Sequence, residues 1–99
     1  MSRKLKLREA AKTDVLQAFN WYEDRERGLG LEFTRAVRVA FAAIERDPTL
    51  YPVALEDIQR AQIGRFPYIV YFVVLPNAVS VIAVLHARRD PRVWHDRSD

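Results

Sequence analysis

Two runs late in this chain set most of what it can become. "PYIVYFVVL" (67–75) and "AVSVIAVLH" (78–86) are dense in β-branched and aromatic residues and are separated only by Pro76 and Asn77. Such residues fit a pleated, packed backbone, and a Pro-Asn pair between two such runs makes a tight turn. The pattern predicts a β-hairpin. In the first run Tyr68, Val70, Phe72 and Val74 share one face, and Ile69, Tyr71, Val73 and Leu75 share the other. A strand with one solvated face alternates apolar with polar residues, and this one does not. Both faces therefore need cover. The break at Pro76-Asn77, which reads as a hairpin turn, also argues against a membrane-spanning helix.

The rest of the chain supplies cover for one face. "KLKLR" (4–8) alternates charged and apolar residues as a short strand. Thr13 is read as the N-cap of a helix whose apolar stripe is Val15, Ala18, Phe19 and Tyr22. Gly28 and Gly30 stop that helix and turn the chain. Phe33, Val37, Ala40, Phe41 and Ile44 repeat the helical spacing until Asp47-Pro48 ends it. "TLYPVALED" reads as a turn-rich loop, and "IQRAQI" (58–63) as a strand followed by Gly64. The order strand, helix, helix, strand, strand, strand gives a two-layer α+β domain, with an antiparallel helical hairpin on a small, mostly antiparallel sheet. A single domain over 1–99 is expected at this length. The sheet's second face would be covered by the tail around Trp94, by the basic N-terminal region or by a partner chain. A short tail cannot span three strands, which favours the partner.

Composition narrows the functional classes. The chain has no cysteine, so disulfides and thiolate metal sites are excluded, and a reducing cytoplasm suits it. "MSRKLKLREAAK" is basic with no apolar run behind it, so no secretion signal is expected. The net charge of +3 is unevenly spread. Residues 1–12 carry +4, 13–47 carry −2 and 48–99 carry +1. A basic patch of this kind suits a polyanion or an acidic protein, and equally an ordinary solvated surface.

Familiar catalytic motifs are missing. The only glycines are Gly28, Gly30 and Gly64, so there is no phosphate-binding glycine loop, and no cofactor is expected. His86 and His95 lack a recognised metal-ligand spacing. The carboxylate pairs Glu23/Asp24 and Glu56/Asp57 read as solvated. What stands out is a set of cations. Arg60 and Arg65 lie on or after the first strand of the meander, and His86, Arg88 and Arg89 at the end of its last. Such strand ends can share a sheet edge. An imidazole can act as base or acid, and guanidinium groups can clamp a phosphate. The same residues also make an ordinary anion- or partner-binding surface. His86 shares parity with Ser80, Ile82 and Val84, so a structural role competes with a catalytic one. Trp94 serves either as a packing anchor or as a stacking platform, and Trp21-Tyr22 reads as core with a polar rim.

Four segments, in order, carry a resemblance: "FNWYEDRERGLGLEF", "IERDPTLYP", "GRFPYIVYFVV" and "VIAVLHARRDP". Together they make the chain similar to the RelE/ParE superfamily of bacterial toxins of type II toxin–antitoxin pairs, over nearly its whole length. The resemblance implies a compact α+β toxin, neutralised by a cognate antitoxin, with operator DNA bound only through that antitoxin. No membrane association is expected. RelE-like members cleave messenger RNA on the ribosome, using basic residues and often a tyrosine or a histidine–tyrosine pair near the C-terminus. Here Ala87 follows His86, and no tyrosine lies after Tyr71. The "HARRDP" ending looks more like the ParE branch, whose characterised members poison DNA gyrase by binding and need no catalytic residues. The expectation is a ParE-like gyrase inhibitor that meets its target through His86, Arg88, Arg89, Trp94 and Arg97. The alternatives are a ribosome-dependent endoribonuclease using His86, Arg60, Arg65 and Arg88, or a weakly toxic antitoxin-binding scaffold.

Overall fold

The computed structural model describes residues 3–89. The elements are β1 (Lys4–Leu7), α1 (Glu9–Arg25), α2 (Leu29–Arg46), a 3₁₀ turn (Pro48–Leu50), β2 (Val53–Leu55), β3 (Ile58–Ile63), β4 (Phe66–Leu75) and β5 (Ala78–His86). One sheet runs in the order β1-β5-β4-β3-β2. β1 is parallel to β5, and every other pairing is antiparallel. The two-layer α+β architecture with a helical hairpin is as the sequence pattern indicates. No helix among the described residues is long and apolar enough to cross a membrane.

Local details depart from the pattern where tertiary contacts outweigh it. α1 starts at Glu9, not after Thr13, because one residue links it to β1 and the Arg8 N–H is already held by the Val81 carbonyl at 3.0 Å. Thr13 is an exposed residue within the helix. Gly28 does turn the chain, at φ 92°. Gly30 instead lies buried in the first turn of α2, where α1 comes so close that an added Cβ would sit 2.7 Å from the Phe19 carbonyl oxygen. Glu23 is only partly solvated. Its carboxylate accepts the N–H groups of Gly28 and Gly30 at 3.0–3.1 Å, which caps α2 from α1 and locks the hairpin. The segment read as a loop contains β2, a three-residue strand on the free edge of β3, with Glu56 at φ 54° in the turn between them.

The helices bury one face of the sheet. Phe33, Val37 and Ile44 of α2 and Ala18 and Tyr22 of α1 meet Ile63, Val70, Phe72, Val79, Val81 and Val84. On the other face Ile58, Ile69, Tyr71, Val73, Ile82, Ala83 and Leu85 form a second cluster, none more than 9% exposed. This face is not open in the single chain, which corrects the expectation, favoured over cover by the tail or the N-terminal region, that a partner chain covers it.

The register between β4 and β5 slips at one point. Tyr71 pairs with Ala83 and Phe72 with Val81, which leaves Ile82 as an extra residue in β5. Such a bulge reverses the facing of everything beyond it. Ile82 and Ala83 consequently share the second face, and Val84 returns to the helix side. His86 follows Val84. Its imidazole stands on the helix side, opposite to Ser80 and Ile82, with which unbroken alternation would group it.

Candidate functional site

Beyond the bulge, the ends of β4 and β5 and the middle of α1 enclose a cleft of about 500 Å³. Its walls include Asp14, Trp21, Tyr22, Tyr68, His86 and Arg89. α1 supplies the first three: Asp14 and Tyr22 fall with Ala18 on the stripe that faces the sheet, and Trp21 stands beside that stripe at the rim. Asp14 is a carboxylate on an otherwise apolar stripe, 8% exposed, and its Oδ2 accepts the Val84 N–H at 3.0 Å. The acid thus serves the strand directly after its bulge, where the ladder is disrupted.

Tyr68 faces His86 across the hairpin, with ring centroids 5.3 Å apart and an edge-on arrangement. Phe33 and Tyr22 pack on its other sides at 5.1 and 6.0 Å. Burial pushes the Tyr68 hydroxyl above its ordinary pKa, Arg89 pulls it back, and Asp14 adds to the rise. Tyr22 is raised by burial and then by its neighbour Tyr68. Both phenols therefore keep their protons at neutral pH, and a protonated phenol is able to donate a hydrogen bond. Trp21 is half exposed at the rim, with the Arg25 guanidinium stacked 4.3 Å from its ring centre.

The turn after β5 fixes the imidazole. Ala87 N–H donates to the Pro67 carbonyl at 2.8 Å, and Arg89 N–H donates to the His86 carbonyl at 2.8 Å. Arg88 N–H donates to His86 Nδ1 at 3.0 Å, a bond that requires Nδ1 to be unprotonated and fits the Nε2–H tautomer. The cleft thus combines a fixed imidazole, two protonated phenols, a carboxylate and a guanidinium.

The cations singled out from sequence do not all converge here. Arg89 lines the cleft, and exposed Arg88 lies beside it in the turn. Arg60 pairs across the ladder with Tyr71, whose cluster is on the far face of the sheet from His86. Arg65 is in an ion pair with Glu32 of α2, with its guanidinium 5.5 Å from the Phe66 ring. Trp94 and Arg97 lie outside the described residues. Among the described residues, no group of three or more His, Cys, Asp or Glu side chains is placed to hold a metal ion. Asp14, Trp21, Tyr22 and Tyr68 escaped the sequence reading as site residues. Only Asp14 left a local signal, an acid in register with the apolar stripe of α1.

A family model described as "ParE toxin of type II toxin-antitoxin system, parDE" matches residues 5–91. Comparison with curated proteins finds no match. Among solved structures the chain is similar to one titled "Chromosomal ParDE TA system from P. aeruginosa", with a TM-score of 0.77 and 12% identity. That likeness covers 86% of this chain and 96% of the other, and at such identity it is a likeness of fold.

Proposed function

The chain belongs to the ParE toxin family of type II toxin–antitoxin systems, and from that premise we propose that it stops growth by binding DNA gyrase. It is the toxin component of such a module, and its partner is a cognate antitoxin. The observation that carries the binding reading is the divergence of the cations. Cleavage of RNA by its own 2′-hydroxyl needs a base, an acid and cations gathered around one phosphate. Arg60 stands on the other face of the sheet and Arg65 is engaged by Glu32, which leaves Arg88 and Arg89 beside the imidazole. Guanidinium groups with a half-exposed indole nearby are what protein interfaces use as anchors. In this reading His86, Arg88 and Arg89, with Trp94 and Arg97 from beyond the described residues, contact gyrase, and no residue performs chemistry.

One contact favours a second reading. The Tyr68 phenol against the His86 imidazole supplies in space the histidine–tyrosine pair that the sequence lacks in series. In a ribosome-dependent endoribonuclease these would exchange protons with the reacting oxygens, with Arg88 or Arg89 at the phosphate.

Pulse labelling of DNA and protein synthesis just after induction separates the two. Gyrase inhibition predicts that DNA synthesis falls first and that purified gyrase accumulates cleaved DNA. Arg88→Gln/Arg89→Gln should then weaken inhibition about thirtyfold, the equivalent of one interfacial arginine worth ~2 kcal/mol. If protein synthesis falls first, and Tyr68→Phe abolishes that effect while antitoxin binding holds, the ribonuclease reading replaces this one.

A further inference from the structure

The basic N-terminal strand takes no part in the cleft at the end of β5. Lys4 and Lys6 are exposed and alternate with Leu5 and Leu7, which pack on the helix-side core. The register sets Lys4 beside Ala78 and Lys6 beside Ser80. Arg8 keeps the same parity, and its Nε donates to the Ser80 hydroxyl at 3.0 Å. At the other end, Arg3 Nε donates to the Leu75 carbonyl at 2.8 Å. The strand is held on both sides, by its ladder with β5 and by Glu45, whose Oε2 accepts the Leu5 N–H at 2.7 Å. That bond also uses up an edge N–H that another strand would otherwise pair with. The lysines therefore sit on fixed backbone with roughly 6.6 Å between them.

The geometry points to β1 as a contact for the phosphate backbone of duplex DNA. Residues 3–8 span roughly 17 Å, the axial length over which one DNA strand presents about five phosphates. The character of the surface decides between DNA and an acidic protein. A protein interface needs an apolar centre, whereas cations alone suffice to hold a phosphate backbone. The leucines of β1 are turned inward, so its outer row offers charge and little apolar area. The outer face of α2 is the contrasting case, with exposed Arg35 and Arg38 beside Leu31 and Val39, which are 51% and 70% exposed. The β1 contact is independent of sequence and of which target the β5 site meets. It gives the toxin its own hold on DNA, where the resemblance implied contact through the antitoxin alone.

The test is fluorescence anisotropy of the full-length chain with a labelled duplex of arbitrary sequence, titrated with salt. The logarithm of the association constant should fall linearly with the logarithm of salt concentration. Lys4→Gln/Lys6→Gln should lower that slope by about 1.8, or about 0.9 for each phosphate no longer neutralised. Arg35→Gln/Arg38→Gln should keep it. An unchanged slope in the first variant, an equal reduction in both, or binding of polyglutamate in place of DNA each overturns the proposal. All four side chains are exposed, and retained antitoxin binding with an unaltered circular dichroism spectrum shows that each variant is folded.

Discussion

His86 owes its position to residues that are buried or partly buried behind it. The extra residue Ile82 turns the imidazole to the helix side, Asp14 ties down Val84 two residues before it, and Tyr68 closes over its ring. The phenol's burial gives a prediction at this scale. The folded Tyr68 pKa lies above the ordinary phenol value of 10.0, so the folded chain holds that proton more tightly than the unfolded chain. Its contribution to stability is complete below pH 10.0 and is lost as pH rises through the folded value. Urea midpoints measured from neutral to strongly alkaline pH should therefore fall. Tyr68→Phe, which has no phenolic proton, should flatten part of that fall, and Tyr22→Phe/Tyr68→Phe should flatten more. If wild type and variants fell in parallel, the buried phenols would not drive the alkaline loss.

Among the elements, the helical hairpin rests on a carboxylate and a missing side chain. Glu23 spans from α1 to the first N–H groups of α2, and Gly30 lets the two helices approach. Alanine is the better helix former by about 1 kcal/mol, but its methyl group at position 30 would meet a backbone carbonyl and the Phe19 ring, the ring at 2.9 Å. A carbonyl cannot rotate aside, so Gly30→Ala should cost about 1–3 kcal/mol in urea unfolding. Gly28→Ala meets no atom within 4 Å and should lose only the left-handed backbone preference, about 1–2 kcal/mol. Equal or greater stability in Gly30→Ala would mean that the helices can part without cost. The same elements show what a sequence can reveal. β4, β5 and both helices are legible because a long apolar run or stripe must be buried, and that need survives any context. β2 is not legible, because Val53, Ala54 and Leu55 are all exposed and only the free edge of β3 orders them. The start of α1 is set by the Arg8 N–H bond to Val81, against the preference of Thr13 for a cap. The facing of His86 depends on one bulge that no spacing rule marks. Without it, the cleft that joins His86 to Tyr68, Asp14 and Trp21 could not be assembled from the sequence.

At the scale of the whole molecule, the sheet is buried on both faces by the chain itself. The free toxin should accordingly melt in one cooperative transition, and antitoxin should raise the midpoint by mass action. Free antitoxin at about a hundred times its dissociation constant adds ~2.7 kcal/mol, a rise on the order of 10 °C for a domain of this size. A toxin without a cooperative transition of its own would show that its core is completed by the partner. The parallel pairing of β1 with β5 has a consequence for the time of folding. Arg8 and Ser80, which that pairing brings into contact, are 72 residues apart in the chain. A ribosome makes β1 and both helices well before the strand that β1 must join, and the central hairpin comes after them. Until β5 has emerged, the helices have no finished sheet to lie on. Synthesis therefore delivers this toxin late and all at once, which gives an antitoxin already present in the cell the whole of translation in which to be waiting.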